Sequence, residues 1–405
     1  MAASPYERTE RIWLVAAGKA AVGMAEAAAD VLGDRLRGGI VVGSARRDGS
    51  DGVPHLEQLT AGHPVPNEDS RRAGLRALAV AASAGADERL LVLLSGGASA
   101  LLAVPADGLT LDDKQRATAT LLREGAEIQQ LNTVRKHLSA IKGGRLAAAS
   151  AAATRTLLIS DVVGDDPSVI ASGPTVPDPG SFLEALAVLD RLGGRKAYPV
   201  PVVSRLERGA KGEIPETPKP GDPRLNQGEV RVICGRHDAM AGAAAEATRR
   251  GYHAVVLEEP VVGEARVSAL TQIARMAAAA GARHPVCVIS SGETTVKVTG
   301  SGRGGRNQEF ALAAATVREC LGPRPDGRST LLASVGTDGV DGPTDAAGAV
   351  VDAQTLERAA AAGLPPPQTF LYNNNAYAFF APLGDLINTG PTGTNVGDLQ
   401  VFLSV

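Results

Sequence analysis

Short runs of Val, Ile and Leu alternate with Ala-rich segments of helical length along most of this chain. Such a rhythm is typical of strands joined by helices, because a parallel connection must cross the sheet and usually does so as a helix. We therefore predict an α/β fold with mostly parallel pairing. The predicted strands are 12–16, 39–42, 90–94, 156–159, 230–233, 254–257, 285–289, 294–298, 331–335 and 398–403.

A chain of 405 residues is long for one hydrophobic core, so two domains are expected. The alternation breaks at 209–229, where four prolines stand among Gly and charged residues. We predict an N-terminal Rossmann-like domain over 1–212 and a second α/β domain over 226–405, with the linker at about 209–229. The C-terminal segment could pack back on the first domain. Because ligand sites favour domain junctions, the active site is expected in the cleft between the two domains.

Composition excludes several classes of partner. The net charge of -3 gives no basic field for nucleic acid, and the three cysteines form no Cys-x-x-Cys pair for zinc or redox chemistry. No apolar run is long enough for a membrane span or a signal peptide. We expect a cytoplasmic protein with small-molecule partners, and either a monomer or a homodimer.

Two predicted strands end in turns of small residues that suit an anion. Gly18 and Lys19 follow the first strand, where a helix N-terminus offers free N–H groups. The segment Ser95, Gly96, Gly97, Ala98 and Ser99 follows another strand and allows a close backbone approach. It is neither a Walker loop nor a nucleophile elbow. The alternatives are a solvated lysine and a simple tight turn.

Acidic residues after other strands are candidates for magnesium binding or proton transfer. Asp161 follows the strand 156–159, and Asp338 and Asp341 lie in a glycine-rich loop after the strand 331–335. Magnesium prefers oxygen ligands, and a carboxylate at a strand end can also act as a base. Turns with solvated aspartates remain the alternative.

A glycine-rich loop near residue 300 formally matches a dinucleotide fingerprint. Gly300, Gly302 and Gly305 have that spacing, but the acidic Glu319 ends a helix and not the second strand. The loop fits better as a carrier of arginine forks for carboxylate or phosphate, beside Glu293 and Asn307. A later loop of small donors, Thr392, Gly393, Thr394 and Asn395, is suited to an anion or a sugar hydroxyl, or only to a turn.

Taken in order, several segments closely resemble the glycerate 2-kinase family, whose C-terminal module is called MOFRL and whose older label is hydroxypyruvate reductase. The segments are Ala17-Gly-Lys-Ala, Ala61-Gly-His-Pro-Val-Pro-Asn, Leu94-Ser-Gly-Gly-Ala-Ser-Ala-Leu, Asn132-Thr-Val-Arg-Lys-His-Leu-Ser, Ser160-Asp-Val-Val-Gly-Asp, Ser291-Gly-Glu-Thr-Thr-Val, Gly304-Gly-Arg-Asn-Gln-Glu, Gly336-Thr-Asp-Gly-Val-Asp-Gly-Pro-Thr-Asp-Ala-Ala-Gly and Thr389-Gly-Pro-Thr-Gly-Thr-Asn-Val. One departure is Asn373-Asn-Asn375-Ala-Tyr377, where relatives tend to have Asn-Asp-Ser before the aromatic residue.

The resemblance implies two α/β domains, ATP as donor, Mg²⁺ as cofactor and D-glycerate as acceptor, giving 2-phosphoglycerate. It also implies that Lys19 and Arg306 are functional. We expect direct in-line transfer with Lys19, Arg306 and Asp161 as catalytic residues and with Asp338 and Asp341 as metal ligands. The expected binding residues are Ser95, Gly96, Gly97, Ala98, Ser99, Glu293, Asn307, Thr392, Gly393, Thr394 and Asn395. The alternatives are an NAD(P)H-dependent hydroxypyruvate reductase and a non-catalytic binding protein for sugar acids or nucleotides.

Overall fold

The computed structural model describes residues 10–44, 52–225, 228–281, 284–322 and 328–405. By contacts within the chain it divides into two compact units. The first comprises the chain up to Ile159 together with Asp165–Ile233, and the second comprises Ser160–Gly164 together with Cys234–Val405. No helix of the described ranges is both long and apolar enough to cross a membrane.

The first unit is built on a six-stranded sheet with the order β3-β2-β1-β4-β5-β6. The four pairs formed among strands β1, β2, β3, β4 and β5 are parallel, as predicted. The order reverses between β1 and β4, and in such sheets ligands bind where the carboxyl ends of these two strands diverge. The strands are β1 Ile12–Ala17, β2 Leu36–Gly43, β3 Leu56–Thr60, β4 Arg89–Leu94, β5 Ala153–Ile159 and β6 Glu229–Cys234.

Helices cover this sheet, so its central strands are buried on both faces. In β1, Leu14 and Val15 point to opposite faces and are both inaccessible to solvent. The helices are α1 Ala21–Leu32, α2 Glu68–Ser83, α3 Ala98–Leu101, α4 Leu111–Arg123, α5 Ile128–His137, α6 Arg145–Ala148, α7 Phe182–Arg191 and α8 Val200–Ala210.

The second unit has a seven-stranded mixed sheet with the order β12-β11-β10-β13-β9-β7, and β8 pairs with β9. Its strands are β7 His253–Val256, β8 Val261–Glu264, β9 Val286–Thr295, β10 Thr330–Gly336, β11 Gly348–Asp352, β12 Leu386–Ile387 and β13 Asp398–Ser404. Its helices are α9 Arg236–Arg249, α10 Ala265–Ala280, α11 Arg306–Ala315, α12 Arg318–Leu321, α13 Thr355–Ala361, α14 Pro367–Tyr372 and α15 Ala376–Phe380. Every residue of α11 after Arg306 is buried, which makes this helix the centre of the unit's core.

The second sheet is mixed, because β10 pairs antiparallel with both β11 and β13 whereas β7 and β8 pair parallel with β9. The predicted strands 285–289 and 294–298 are one strand, β9, that ends at Thr295. The intervening Ser-Gly-Glu is extended because Gly292 lies against the backbone of Val261, where a Cβ would overlap it. The strands β3, β8, β11 and β12 were not predicted from the sequence.

The predicted linker also differs from the structure. The segment 209–229 lies within the first unit, where Glu216 contacts His137, the Pro218 carbonyl accepts from the Asp178 N–H, and β6 follows as the last strand of the first sheet. The final strand, β13, pairs with β9 and β10 at the centre of the second sheet.

Candidate active site

The segment Ser95–Ser99 follows the carboxyl end of β4, beside the carboxyl end of β1, and we call it the switch-point turn. Gly18 has a φ of 127°, and a Cβ there would overlap Ser95 Oγ. Ser95 Oγ accepts from the Ala20 N–H at 2.9 Å, and the Gly96 carbonyl accepts from the Lys19 N–H at 2.9 Å. Ser95 therefore fixes the turn to the start of α1, and Gly18 is needed for this close approach.

This turn presents backbone donors. The N–H groups of Gly96 and Gly97 donate to no residue in the described part of the chain. Gly97 has a φ of 88°, and a Cβ there would lie 3.0 Å from the ring of His63. Lys19 is half-buried on the adjacent turn. Free N–H groups beside a lysine form an arrangement that can hold an oxyanion.

At the end of the turn, the Ser99 side chain is already fully bonded. Its Oγ accepts from Arg135 Nη2 and from Lys142 Nζ, each at 2.7 Å, and it lies 3.1 Å from Ser172 Oγ. Lys142 Nζ also donates to the Ser99 carbonyl at 2.7 Å. The hydroxyl of Ser99 thus organises two cations and has no donor left for a ligand.

A third cation, Lys114, lies near these two, and we call Lys114, Arg135 and Lys142 the buried cation cluster. Burial, followed by the charge of Arg135, lowers the pKa of Lys114 to about 7. Burial and the charges of Arg135 and Lys114 hold the pKa of Lys142 well below its ordinary value. Within the described ranges no carboxylate forms an ion pair with any of the three.

In the second unit, Arg306 at the start of α11 is held by acids. Its Nε donates to Asp398 Oδ2 at 2.7 Å, and its Nη1 donates to Glu293 Oε1 at 3.1 Å. Burial alone would lower the pKa of Arg306, but the charge of Asp398 raises it above its ordinary value. The structure thus brings the predicted residues Arg306 and Glu293 together. Arg306 Nη2 has no acceptor among the described residues and can still reach a ligand.

Asp341 and Asn307 have structural roles that differ from those predicted. The two carboxylate oxygens of Asp341 accept from the N–H groups of Asn307 and Gln308, at 3.0 and 2.9 Å, which caps the first turn of α11. The Asn307 side chain donates to Asp398 and accepts from Ser334 Oγ, so it has little capacity for a substrate. Burial raises the pKa of Asp341 to about 6, although the two N–H bonds oppose this shift.

These contacts fit a helix cap better than a metal site at Asp341. Asp338 Oδ1 accepts from the Val340 N–H at 3.1 Å, as in a simple turn. No group of three or more potential metal ligands occurs among the residues whose positions are described. The Asp341 carboxylate is therefore occupied by the helix cap, and the Mg²⁺ role of Asp338 stays a prediction.

Asp161 meets the predicted small-donor loop. Its Oδ2 accepts from Asn395 Nδ2 at 2.8 Å, and both residues belong to the second unit. The loop is tied to the segment after β10, because Thr392 Oγ1 donates to the Thr337 carbonyl at 2.6 Å. Thr392 and Gly393 are exposed and Thr394 is half-buried, so this loop stays accessible around a fixed Asp161–Asn395 pair.

The glycines near residue 300 are explained by packing. A Cβ at Gly300 or Gly302 would overlap the backbone of Asn373, and the side chains of Asn373, Asn374 and Asn375 each accept an N–H from this loop. A dinucleotide fingerprint instead keeps its glycines open for pyrophosphate. The Arg303 guanidinium, expected as an anion fork, lies over the Tyr377 ring at 4.3 Å from its centroid.

The buried cation cluster was not predicted from the sequence. Arg135 lies in the segment Asn132-Thr-Val-Arg-Lys-His-Leu-Ser, which contributed to the family resemblance but received no chemical role. A usable signal was present, because several cations fall within about two helical turns without an acid among them.

Comparisons with known proteins agree with this architecture. Residues 2–207 match a domain of unknown function (DUF4147), and residues 286–398 match the MOFRL family. The chain is 39% identical to the D-glycerate 2-kinase of Thermotoga maritima, over 99% of this chain and 92% of that protein. It is 38% identical to the glycerate kinase of Homo sapiens, over 98% of this chain and 85% of that protein. A crystal structure of glycerate kinase from Thermotoga maritima matches with a TM-score of 0.82 and 39% identity, over 98% of this chain and 92% of that one.

Both relatives are kinases that match almost the whole of this chain, and the solved structure has the same two α/β units. The chain is therefore an α/β kinase. Within that class it belongs to the glycerate 2-kinase family, as the resemblance implied.

Proposed function

We propose that this protein transfers the γ-phosphoryl group of ATP to the 2-hydroxyl of D-glycerate, giving 2-phosphoglycerate and ADP. Family membership supports the reaction, and the observation that carries the site is the switch-point turn. There, Lys19 and the free N–H groups of Gly96 and Gly97 lie where a sheet of this order binds its ligand.

In this proposal the chain contributes positioning and charge. In phosphoryl transfer the negative charge spreads over the equatorial oxygens, so preorganised donors stabilise the transition state. Lys19 and the Gly96 and Gly97 N–H groups supply such donors in the first unit, and Arg306 Nη2 supplies one in the second. Because Asp398 and Glu293 already fix the orientation of Arg306, little reorganisation accompanies the reaction.

Asp161 is proposed as the base that accepts the proton of the attacking hydroxyl. The Asn395 amide holds one of its oxygens, which orients the carboxylate.

When bound, Mg²⁺ neutralises phosphate charge, and we propose that it enters with the nucleotide, since the described acids do not form a site for it.

The direct test is a spectrophotometric assay with D-glycerate, ATP and Mg²⁺, coupled through enolase, pyruvate kinase and lactate dehydrogenase without a mutase. Loss of NADH that requires glycerate, ATP and enolase identifies 2-phosphoglycerate. A second assay, with phosphoenolpyruvate in place of enolase, detects ADP alone, and a signal only there would place the phosphoryl group elsewhere.

The same experiment separates the alternatives. NADH consumed with hydroxypyruvate, in the absence of coupling enzymes, would identify a reductase, which no contact of the Gly300 loop favours. Binding of glycerate with neither ADP nor 2-phosphoglycerate formed would identify a non-catalytic protein.

A further inference from the structure

The buried cation cluster is costly for the fold as it stands. Removing charged side chains from water is unfavourable unless they are paired, and here three cations repel one another. Lys114 and Lys142 are 7% and 2% exposed, and the acidic residue next to Lys114 in the chain, Asp113, accepts from Thr110 instead. An anion supplied from outside the chain would remove this cost.

The hydrogen bonds around Ser99 have only one consistent direction. Arg135 and Lys142 both donate to its Oγ, which fills the two lone pairs of the hydroxyl. Ser99 must then donate to Ser172 Oγ, and Ser172 donates to Asn132 Oδ1 at 2.9 Å. This directed chain fixes the Arg135 guanidinium and the orientation of the Asn132 amide.

Donors remain unused after this chain is complete. Asn132 is 4% exposed, and its Nδ2 has no hydrogen-bond acceptor among the described residues. Arg135 is half-buried, and in the described part of the chain only its Nη2 donates, to Ser99. Lys114 Nζ donates once, to the Val104 carbonyl at 3.2 Å. Unpaired donors of this number around three cations indicate a missing acceptor.

We propose that the buried cation cluster binds one oxyanion group of a reactant, with Arg135 as the residue that touches it. Lys142, Ser99, Ser172 and Asn132 position the guanidinium, and Lys114 adds charge. The planar fork of arginine matches two oxygens of a carboxylate or a phosphate. The choice of reactants, a hydroxy acid and a phosphoryl donor, rests on the proposed function, but the anion site itself does not.

The test uses the full chain and three variants. Arg135→Gln removes the charge, Arg135→Lys keeps the charge without the fork, and Arg116→Gln changes an arginine on α4 that is 64% exposed. Calorimetry measures the binding of D-glycerate and of inorganic phosphate separately, without nucleotide, and steady-state assays give the KM for glycerate and for ATP.

We expect Arg135→Gln to weaken binding of one oxyanion by about 10- to 100-fold, Arg135→Lys to weaken it less, and Arg116→Gln to leave it unchanged. Weaker D-glycerate binding with a raised KM for glycerate alone identifies the substrate carboxylate. Weaker phosphate binding with a raised KM for ATP alone identifies a phosphate.

The inference is overturned if Arg135→Gln binds both oxyanions as tightly as the unchanged chain, or if the unchanged chain binds neither. If Arg135→Gln does not fold, Ser99→Ala keeps all three cations but releases the guanidinium, and must raise the same KM. Phosphate binding that depends on Arg135 in a chain without glycerate kinase activity would support the anion site while rejecting the proposed function.

Discussion

In the first unit, Lys114, Arg135 and Lys142 are buried together without a carboxylate among the described residues, whereas in the second unit Arg306 donates to Asp398 and Glu293. Both places offer a guanidinium that a ligand can reach. The first depends on a ligand for its counter-charge, and the second carries counter-charge of its own. An anion should therefore stabilise the first unit more than the second.

The largest expected effect is on turnover. The variants of the two units are also compared by their stability. Lys19→Ala and Arg306→Ala should each lower turnover by about tenfold to a thousandfold. Arg306→Ala should also destabilise the fold, by about 3 kcal/mol, because the fully buried Asp398 loses its cation. Turnover and thermal unfolding of both variants measure this difference, with the exposed Lys196→Ala as control. Near-native turnover in either variant would remove that residue from the catalytic assignment.

A second effect concerns the shape of the switch-point turn. Gly18→Ala should destabilise the first unit by on the order of 3 kcal/mol, because its φ of 127° disfavours a side chain and Ser95 occupies the space. Gly23→Ala, in α1 with nothing near its Cβ, should instead stabilise by about 0.5 to 1 kcal/mol. Chemical denaturation of both variants compares them. Equal effects would show that Ser95 can move away, and that the turn is not rigid.

The switch-point turn was predictable and the neighbouring cluster was not, for a physical reason. Gly18 and the Ser95–Ser99 segment follow apolar strands directly, so their place at a sheet edge follows from local sequence. Arg135 and Lys136 are adjacent on α5, yet one lies beside Ser99 and the other pairs with Asp178. Which of these helical charges gains an acidic partner depends on segments far away in the chain.

In the second unit, too, strand pairing and the roles of acidic residues depend on contacts between distant segments, which local sequence does not predict. The antiparallel order of β10 and β13 arises from pairing between distant segments, which an alternation of strands and helices does not encode. Asp341 looked like a metal ligand because its loop is rich in Gly and Asp. Its role as a cap depends on α11, more than thirty positions earlier in the chain.

A third effect tests that cap. Asp341→Asn should destabilise the second unit by about 1 to 2 kcal/mol, since an amide can accept only one of the two N–H bonds without presenting a donor to the other. The concentration of Mg²⁺ needed for half-maximal activity should stay the same. Thermal unfolding and a magnesium titration measure the two quantities, with Asp338→Asn as the comparison. A tenfold higher magnesium requirement with unchanged stability would instead make Asp341 a metal ligand.

The effect that is smallest per pH unit is a rise in the free energy of unfolding with pH above neutrality, which the first unit should show. The pKa of Lys114 is about 7 in the folded chain and about 10.5 when unfolded, so between these values the unfolded state binds more protons. The free energy of unfolding should therefore rise with pH in this window, by on the order of 1 kcal/mol per pH unit. Below pH 7 both states are protonated, and the dependence ends.

Lys114→Met tests the origin of this slope. The variant should show a smaller slope, although Lys142, whose pKa burial and nearby charges also lower, keeps part of it. Saturating inorganic phosphate should flatten the slope of the unchanged chain, because a bound anion favours the protonated lysine in the folded state. Denaturation at a series of pH values, with and without phosphate, decides the matter. A slope that phosphate leaves unchanged would mean that the fold tolerates the buried cation cluster without a bound anion. The two units would then differ in how they pack their cations and not in their need for a ligand.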